Sequence, residues 1–362
     1  MDLDLKKLVR PEIYNMEVKE YAHAHVEINN LCDMSMNVNP FGVSKKAIKK
    51  LNSIGSKVIS QYYPENIMLL KKIADYVKVK PNQVMLGDGC DGCLAMIAST
   101  FIGKNDEVII PVPTFHRYEF HTLVMGGKPI FVPMKNFEID PDDIIENINP
   151  RTKLIFLCDP NNPTGLNINN KTKEEIIRNF SGIVVIDQAL TDDGVEVTKL
   201  LEKYENIVLA RSLSKNFGLA SLRTGYIISH PEIIAQIRKT SSPFKVSGIA
   251  QELAIATFED YKHRKSSNGF VDKNRNYLIE NLRKMGLQCT DSVSSNFLLN
   301  VESLNINSLI FKKKLEEKNV IVTDATVFKV PKDTYVRISV SNEKDNERFI
   351  KAVKEIVEEL KT

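Results

Sequence analysis

The sequence predicts an α/β fold: a mostly parallel, doubly wound sheet in a large domain, followed by a smaller α+β domain. Three observations predict it. Short β-branched runs alternate with helical patterns, proline and glycine breakers flank the runs, and the alternation gives way to a helix-rich pattern after Ser242-Pro243. Strands alternating with helical segments argue for crossover units that cover both faces of a parallel sheet.

Taken in order, Gln83–Leu86 reads as a strand and Cys93–Ala98 as part of the helix after it. Further strands are expected at Glu107–Val112, Lys153–Cys158, Ile183–Asp187, Asn206–Ala210 and Gly225–Ser229. The run Ile183–Ile186 is apolar without interruption, as a strand buried on both faces must be. After Pro243 the pattern is helical through His263. A helix, the strand Asn296–Asn300, the helix Ser308–Lys318, strands around Ile321 and Val336, and a closing helix Asn342–Leu360 then complete the smaller domain. The expected division is residues 41–243 for the large domain and 244–362 for the small one, with residues 1–40 packing with the small domain. A substrate would lie in the cleft between them.

Composition narrows the class. A chain of 362 residues, 43% of them apolar, can fill two cores. Its 49 basic and 46 acidic residues nearly cancel, which argues against nucleic acid or a membrane surface as the main partner. The N-terminus lacks the apolar core of a signal peptide and no run approaches a spanning helix, so the expected compartment is the cytoplasm. Five scattered cysteines suit reduced thiols better than a disulfide framework. Cys90 and Cys93 have no second pair to complete a metal site, although Cys90, at a helix start, is a candidate for a lowered pKa.

Ligands of open α/β sheets collect at the carboxyl ends of the strands, and three such ends carry chemistry here. Lys215, in Arg211-Ser-Leu-Ser-Lys-Asn-Phe217, is an amine next to two hydroxyls, Ser212 and Ser214, and close in sequence to Arg223. Hydroxyls and a planar guanidinium suit phosphate oxygens, and an amine that loses its proton can condense with the aldehyde of pyridoxal phosphate. Cys158-Asp-Pro-Asn-Asn-Pro-Thr-Gly165 is a rigid loop whose Asn162 would donate to an anionic ring oxygen. Asp187 ends an apolar strand and would pair with a protonated pyridine nitrogen. Gly87-Asp-Gly-Cys-Asp-Gly92 opens a helix. It is better used for a phosphate than for a dinucleotide, because no acidic residue ends a second strand at the right distance. Each segment alone also reads as an ordinary turn or cap.

Together, Asn162-Pro-Thr-Gly165, Asp187, Ser212-x-Ser-Lys215 and Arg223 resemble the class I/II aminotransferases of the fold-type I pyridoxal-phosphate superfamily, from about Asp33 to the C-terminus. Asn37-Val-Asn-Pro-Phe-Gly42 and Tyr63-Pro64 resemble the branch of histidinol-phosphate aminotransferases and threonine-phosphate decarboxylases. The resemblance implies a homodimer in which Lys215 carries the cofactor as a Schiff base. Asp187 would hold the pyridine nitrogen, Asn162 the ring oxygen, and Ser212, Ser214 and Arg223 the phosphate. Backbone amides near Cys90 and Asp91 would help there, as would Tyr63 from the partner subunit. Phe115 would stack on the ring, Arg337 would grip a substrate carboxylate, and Asn39 would lie among the substrate contacts. A structural salt bridge is the alternative for Arg337.

Departures from the family's pattern bear on substrate. Leu190 stands where a tyrosine usually donates to the ring oxygen, Thr323 where an arginine usually binds the substrate's phosphate, and Gly92 where a glutamate is usual. His25, or His23, could grip a phosphate in place of that arginine; a surface segment is the alternative. The expected activity is transfer of an amino group from an amino acid, glutamate foremost, to a small phosphorylated keto compound of the dihydroxyacetone-phosphate or imidazole-acetol-phosphate kind. Decarboxylation of a phospho-amino acid is the second reading, and a non-catalytic cofactor sensor the third.

Overall fold

The computed structural model describes residues 5–16, 31–191 and 195–361. A short strand β1 (Cys32–Asp33) precedes seven strands of one sheet: β2 (Val84–Gly87), β3 (Glu107–Val112), β4 (Lys128–Pro133), β5 (Thr152–Cys158), β6 (Ile183–Asp187), β7 (Ile207–Ser212) and β8 (Gly225–Ser229). Their spatial order is β2-β8-β7-β6-β5-β3-β4. β8 runs antiparallel to both neighbours, and the remaining four pairs, β7-β6, β6-β5, β5-β3 and β3-β4, are parallel.

Alternate residues of these strands feed two cores. Leu86, Ile109, Ile155, Leu157, Val184, Ile186 and Leu209 pack on one face with Ile73 and Ala254 from flanking helices. Met85, Val108, Phe156, Val185, Val208 and Ile227 pack on the other with Leu94, Tyr118 and Ile237. Both faces are therefore dry, and the strands read as continuous apolar runs for that reason. The one strand of this sheet that the sequence pattern does not announce is β4. It carries Pro129 and Pro133, and it sits at the sheet edge, where a missing backbone donor is tolerated.

The helical stretch expected through His263 ends earlier, at Phe258, and the helix after it begins before His263: the two are Gly248–Phe258 and the 24-residue Tyr261–Lys284. The break has a local cause. The Asp260 side chain caps the second helix by accepting from His263 N, and buried Arg264 donates from Nη1 to the end carbonyls of the first, Thr257 O and Phe258 O, both at 2.7 Å.

A second sheet follows, built from β9 (Gln288–Cys289), β10 (Asn296–Asn300), β12 (Thr323–Asp324) and β13 (Tyr335–Ser339), with β11 (Val320–Ile321) between β10 and β12 in sequence. Its order is β12-β13-β10-β9, antiparallel throughout, while β11 pairs in parallel with β1. Phe297, Leu299, Val336 and Ile338 meet Phe349, Val353 and Ile356 of the closing helix Glu343–Glu359 in a separate core that also takes Cys32 and Met34. That helix starts one residue later than its pattern suggests because Asn342 is its cap, accepting from Asp345 N.

The sheet positions the candidate site through one close approach. A Cβ on Gly225 would lie 2.6 Å from the carbonyl carbon of Gly89 and 2.8 Å from Cys90 N, so the start of the helix Gly89–Phe101 rests directly on β8. These are backbone atoms and have no rotamer to move. Gly225→Ala is expected to cost about 1–3 kcal/mol of stability, as overpacking does. Gly269→Ala, in the exposed middle of the long helix with nothing within 4 Å, should instead gain about 0.5–1 kcal/mol; urea midpoints of the two variants check both signs.

Candidate active site

Asp187 is the last residue of β6 and is 3% exposed. Its Oδ1 accepts from Ala189 N at 2.9 Å and from Cys90 Sγ at 3.4 Å, and its Oδ2 from the Tyr118 hydroxyl at 2.8 Å. Burial pushes the carboxyl's pKa up, and the three donors oppose that rise. Tyr118 is held for this task by stacking on Phe156, centroids 4.7 Å apart, and by an edge contact with Phe115 at 5.7 Å. Sequence reasoning missed Tyr118. Its signal was the spacing from Phe115, three residues before it at the start of a helix.

Next to Asp187 the helix Gly89–Phe101 begins without a side-chain cap, so its first amides are open to an anion. Gly89 has φ +83°, and a Cβ there would lie 2.5 Å from Arg223 Nη2, which puts the guanidinium over the first turn. Arg223 is itself left-handed at φ 47°, with Nη1 donating to Ala220 O at 3.2 Å. Ser212 closes β7, and its hydroxyl accepts from Ser214 N at 3.0 Å. The Asp91 carboxylate is engaged elsewhere, by Arg117 Nε and Nη2 and by His121 Nε2, each at 2.9 Å. Burial would raise its pKa, yet the bonds from His121 and Arg117 outweigh burial and hold it well below the usual range. What Asp91 can offer an anion is therefore its backbone amide. Gly92 leaves room for Asp88, whose Oδ1 would lie 1.9 Å from a Cβ at that position.

Lys215 lies in the loop after β7, pinned by Gly218 N donating to its carbonyl at 2.9 Å. Asn39 braces the same loop, its Nδ2 donating to Asn216 O at 3.3 Å and to Ser267 Oγ at 2.9 Å. Burial, and then the positive charges of Arg337 and Arg223, bring the Lys215 pKa down from 10.5 to about 8. An amine at that value has a sizeable unprotonated fraction at neutral pH.

Asn162 follows β5, and its Oδ1 accepts from Arg337 Nη1 at 3.1 Å. Because a guanidinium can only donate, Arg337 fixes the amide with its oxygen inward, leaving the NH2 to act as a donor elsewhere. Arg337 Nη2 also donates to Ser35 O and to Thr323 Oγ1, the latter at 3.1 Å, and the guanidinium rests on the Phe328 ring with Cζ 5.1 Å from its centroid. Thr323 thus holds Arg337 rather than supplying a cation of its own. Register explains the contact, since Thr323 of β12 faces Arg337 of β13 across the ladder.

The remaining expected residues divide. Phe115 is half-buried beside the cluster of Leu298, Ala325 and Phe328. Leu190 is buried and contributes no donor. The Tyr63 hydroxyl donates to Glu252 Oε1 within its own chain. His23 and His25 lie outside the described residues. The Cys90 thiol corrects an expectation: far from being lowered at a helix start, its pKa is pushed well above the ordinary value by burial and by the charge of Asp187. All five cysteines are free.

Residues 28–353 match the sequence pattern of the family described as aminotransferase class I and II. The chain belongs to this family. It is 35% identical over 341 residues to a histidinol-phosphate aminotransferase of Caldicellulosiruptor saccharolyticus, covering 91% of this chain and 93% of that one. A histidinol-phosphate aminotransferase of Methanosphaera stadtmanae is also 35% identical, over 94% of both chains. Among solved structures, the histidinol-phosphate aminotransferase from Clostridium acetobutylicum superposes with a TM-score of 0.83 at 26% identity, over 90% of this chain and 99% of that one. The enzyme from Sinorhizobium meliloti in complex with pyridoxal-5'-phosphate gives 0.86 at 20% identity, over 97% and 98%, a likeness of fold. The protein is accordingly a pyridoxal-phosphate-dependent transaminase of fold type I.

The residues present fit that cofactor. The uncapped helix start under Arg223 is a cradle for a dianion, Asp187 is a buried acceptor, and Lys215 is an amine of lowered basicity. If the charges of Arg337 and Arg223 help to depress Lys215, removing one must move its titration. Reductive methylation of Lys215 in the cofactor-free protein, read by peptide mass spectrometry across pH, should show a midpoint near about 8. In Arg337→Ala the midpoint should shift to higher pH; an unchanged midpoint would rule out the electrostatic cause.

Proposed function

We propose that the enzyme takes an amino group from an amino acid, L-glutamate, and gives it to a small phosphorylated keto compound of the imidazole-acetol-phosphate or dihydroxyacetone-phosphate kind. One observation carries the reading. Lys215 feels the charges of both Arg223, which overlies the helix start, and Arg337, which is bonded to Asn162, so two cationic groups together with burial lower the basicity of a single amine. Pyridoxal phosphate, when bound, supplies an aldehyde and an electron sink. The chain's own parts do the rest in this proposal. The helix start, Ser212, Ser214 and Arg223 bind the phosphate, Asp187 holds the ring nitrogen, and Asn162 donates to the ring oxygen. Phe115 covers the ring, Arg337 takes the substrate's carboxylate, and Lys215 Nζ holds and moves the proton. Asn39 keeps the lysine loop in register. The names of the relatives support a phosphorylated acceptor. His25 remains a candidate for its phosphate, and the cytoplasm the proposed compartment.

Leu190 favours keeping a second reading, decarboxylation of a phospho-amino acid. Without a phenol at that position the ring oxygen depends more on Asn162, and the same lysine and carboxylate can labilise a carboxylate group instead of a proton. The visible spectrum of the cofactor-loaded protein separates the readings. L-glutamate without an acceptor should bleach the yellow absorbance, and Lys215→Ala should abolish turnover. An unchanged spectrum, together with carbon dioxide release from phosphoserine or phosphothreonine, would favour the second reading.

The proposed homodimer rests on an exposed apolar strip beside Tyr63. Ile59, Tyr62, Ile67, Met68 and Phe244 all face solvent, and Tyr62, 84% exposed, stacks on Phe244 with centroids 4.9 Å apart. Patches of this kind mark protein interfaces. Tyr62→Asp should shift sedimentation from dimer toward monomer, and should weaken cofactor binding if Tyr63 of the partner subunit reaches the phosphate.

A further inference from the structure

Cys90 takes part in two contacts that lie at opposite ends of the proposed cofactor site. Its backbone nitrogen belongs to the first turn of the helix under Arg223, 2.8 Å from where a Cβ on Gly225 would stand. Its side chain turns the other way and reaches Asp187 Oδ1 at 3.4 Å. Both residues are buried, Cys90 at 8% exposure and Asp187 at 3%. A carboxylate can only accept, so the thiol must be the donor in this bond.

The acceptor count gives the contact its meaning. An ionised carboxylate has about four lone-pair sites. Ala189 N and Cys90 Sγ occupy Oδ1, and the Tyr118 hydroxyl occupies one site on Oδ2. One site on Oδ2 is left. We propose that Cys90 is a positioning residue: its thiol proton fills Oδ1, keeps the buried carboxylate ionised, and leaves Oδ2 to receive the N–H of the cofactor's pyridine ring. Cys90 thereby ties the phosphate end of the site to the ring-nitrogen end through one residue. The role differs from that of its backbone amide, which any residue would supply. It is also not a redox role, since the thiol is sealed from solvent and protonated.

The inference rests on the proposed assignment of Asp187 to the ring nitrogen, and the experiment separates the two. In the protein without cofactor, the infrared S–H stretch of Cys90, isolated as the difference between the native protein and Cys90→Ala, should lie at lower frequency than that of a free thiol. It should move back up in Asp187→Asn, whose amide is a weaker acceptor. In direct titration with pyridoxal phosphate, Cys90→Ala should bind about threefold to tenfold more weakly, the effect of one weak hydrogen bond to a charged group. Cys90→Ser, which keeps a donor, should return to within about twofold of native. If Asp187→Asn loses cofactor affinity while Cys90→Ala binds as the native protein does, the Cys90 proposal fails and the Asp187 assignment stands. If Asp187→Asn itself binds normally, the assignment fails first. Should Cys90→Ala melt early, Cys90→Ser supplies the difference spectrum, and a free-thiol frequency for Cys90 overturns the proposal.

Discussion

A carboxylate sealed beneath the carboxyl end of the central sheet is the constraint on which the rest of this structure turns. Asp187 stays buried only because donors come to it, and an unpaired charge at that depth would be costly. Those donors are drawn from three separate segments: the start of the helix Gly89–Phe101, the helix that carries Tyr118, and the turn at Ala189. Bringing them together also sets the helix start against β8 through Gly225, which is what places open amides beneath Arg223. The anion cradle and the buried acceptor are thus parts of one packing solution.

Arg337 performs a similar service between the two sheets. It stands on β13 and bonds Asn162 after β5, Ser35 after β1, and Thr323 on β12, so four distant stretches of chain share one guanidinium. Polar contacts nearby reinforce the junction. Asn37 donates to Asn296, whose own amide donates to Pro163 O, each at 2.8 Å, and the Gly165 Cα lies against Ser292 and Asn296. The Asn162 loop is held from behind as well, by the buried ion pair of Asp159 with Lys173 and by Asp159 Oδ1 accepting from Ile168 N at 2.8 Å. A rigid loop is what an amide needs in order to present one fixed face to a ring oxygen.

Much of the fold was legible because burial on both sheet faces leaves a mark in sequence. Strands such as Ile183–Asp187 and Gly225–Ser229 lie where their apolar runs put them. β4 escaped because edge strands admit proline, and the helix break was expected at His263 instead of Asp260 because its position depends on Arg264 reaching back to carbonyls of the preceding helix. The reactive side chains were legible by type and spacing: Lys215 with its serines, Asn162 between prolines, and Asp187 at a strand end. Their supports were not. Tyr118, Thr323 and Ser35 carry no motif, and each matters only through a partner more than a few residues away.

By itself, then, the sequence determined the alternation of strands and helices, the family, and the residue types able to hold an aldehyde cofactor, because these depend on local pattern and on side-chain chemistry. Tertiary structure decided the rest. It turned Cys90 from a helix-start thiol of lowered pKa into a buried donor, confined Asp91 to its backbone, and made Thr323 a brace for Arg337. The physical reason is common to all three. A side chain's protonation and hydrogen bonding follow from the charges and dielectric around it, and those are set by neighbours that only folding brings near.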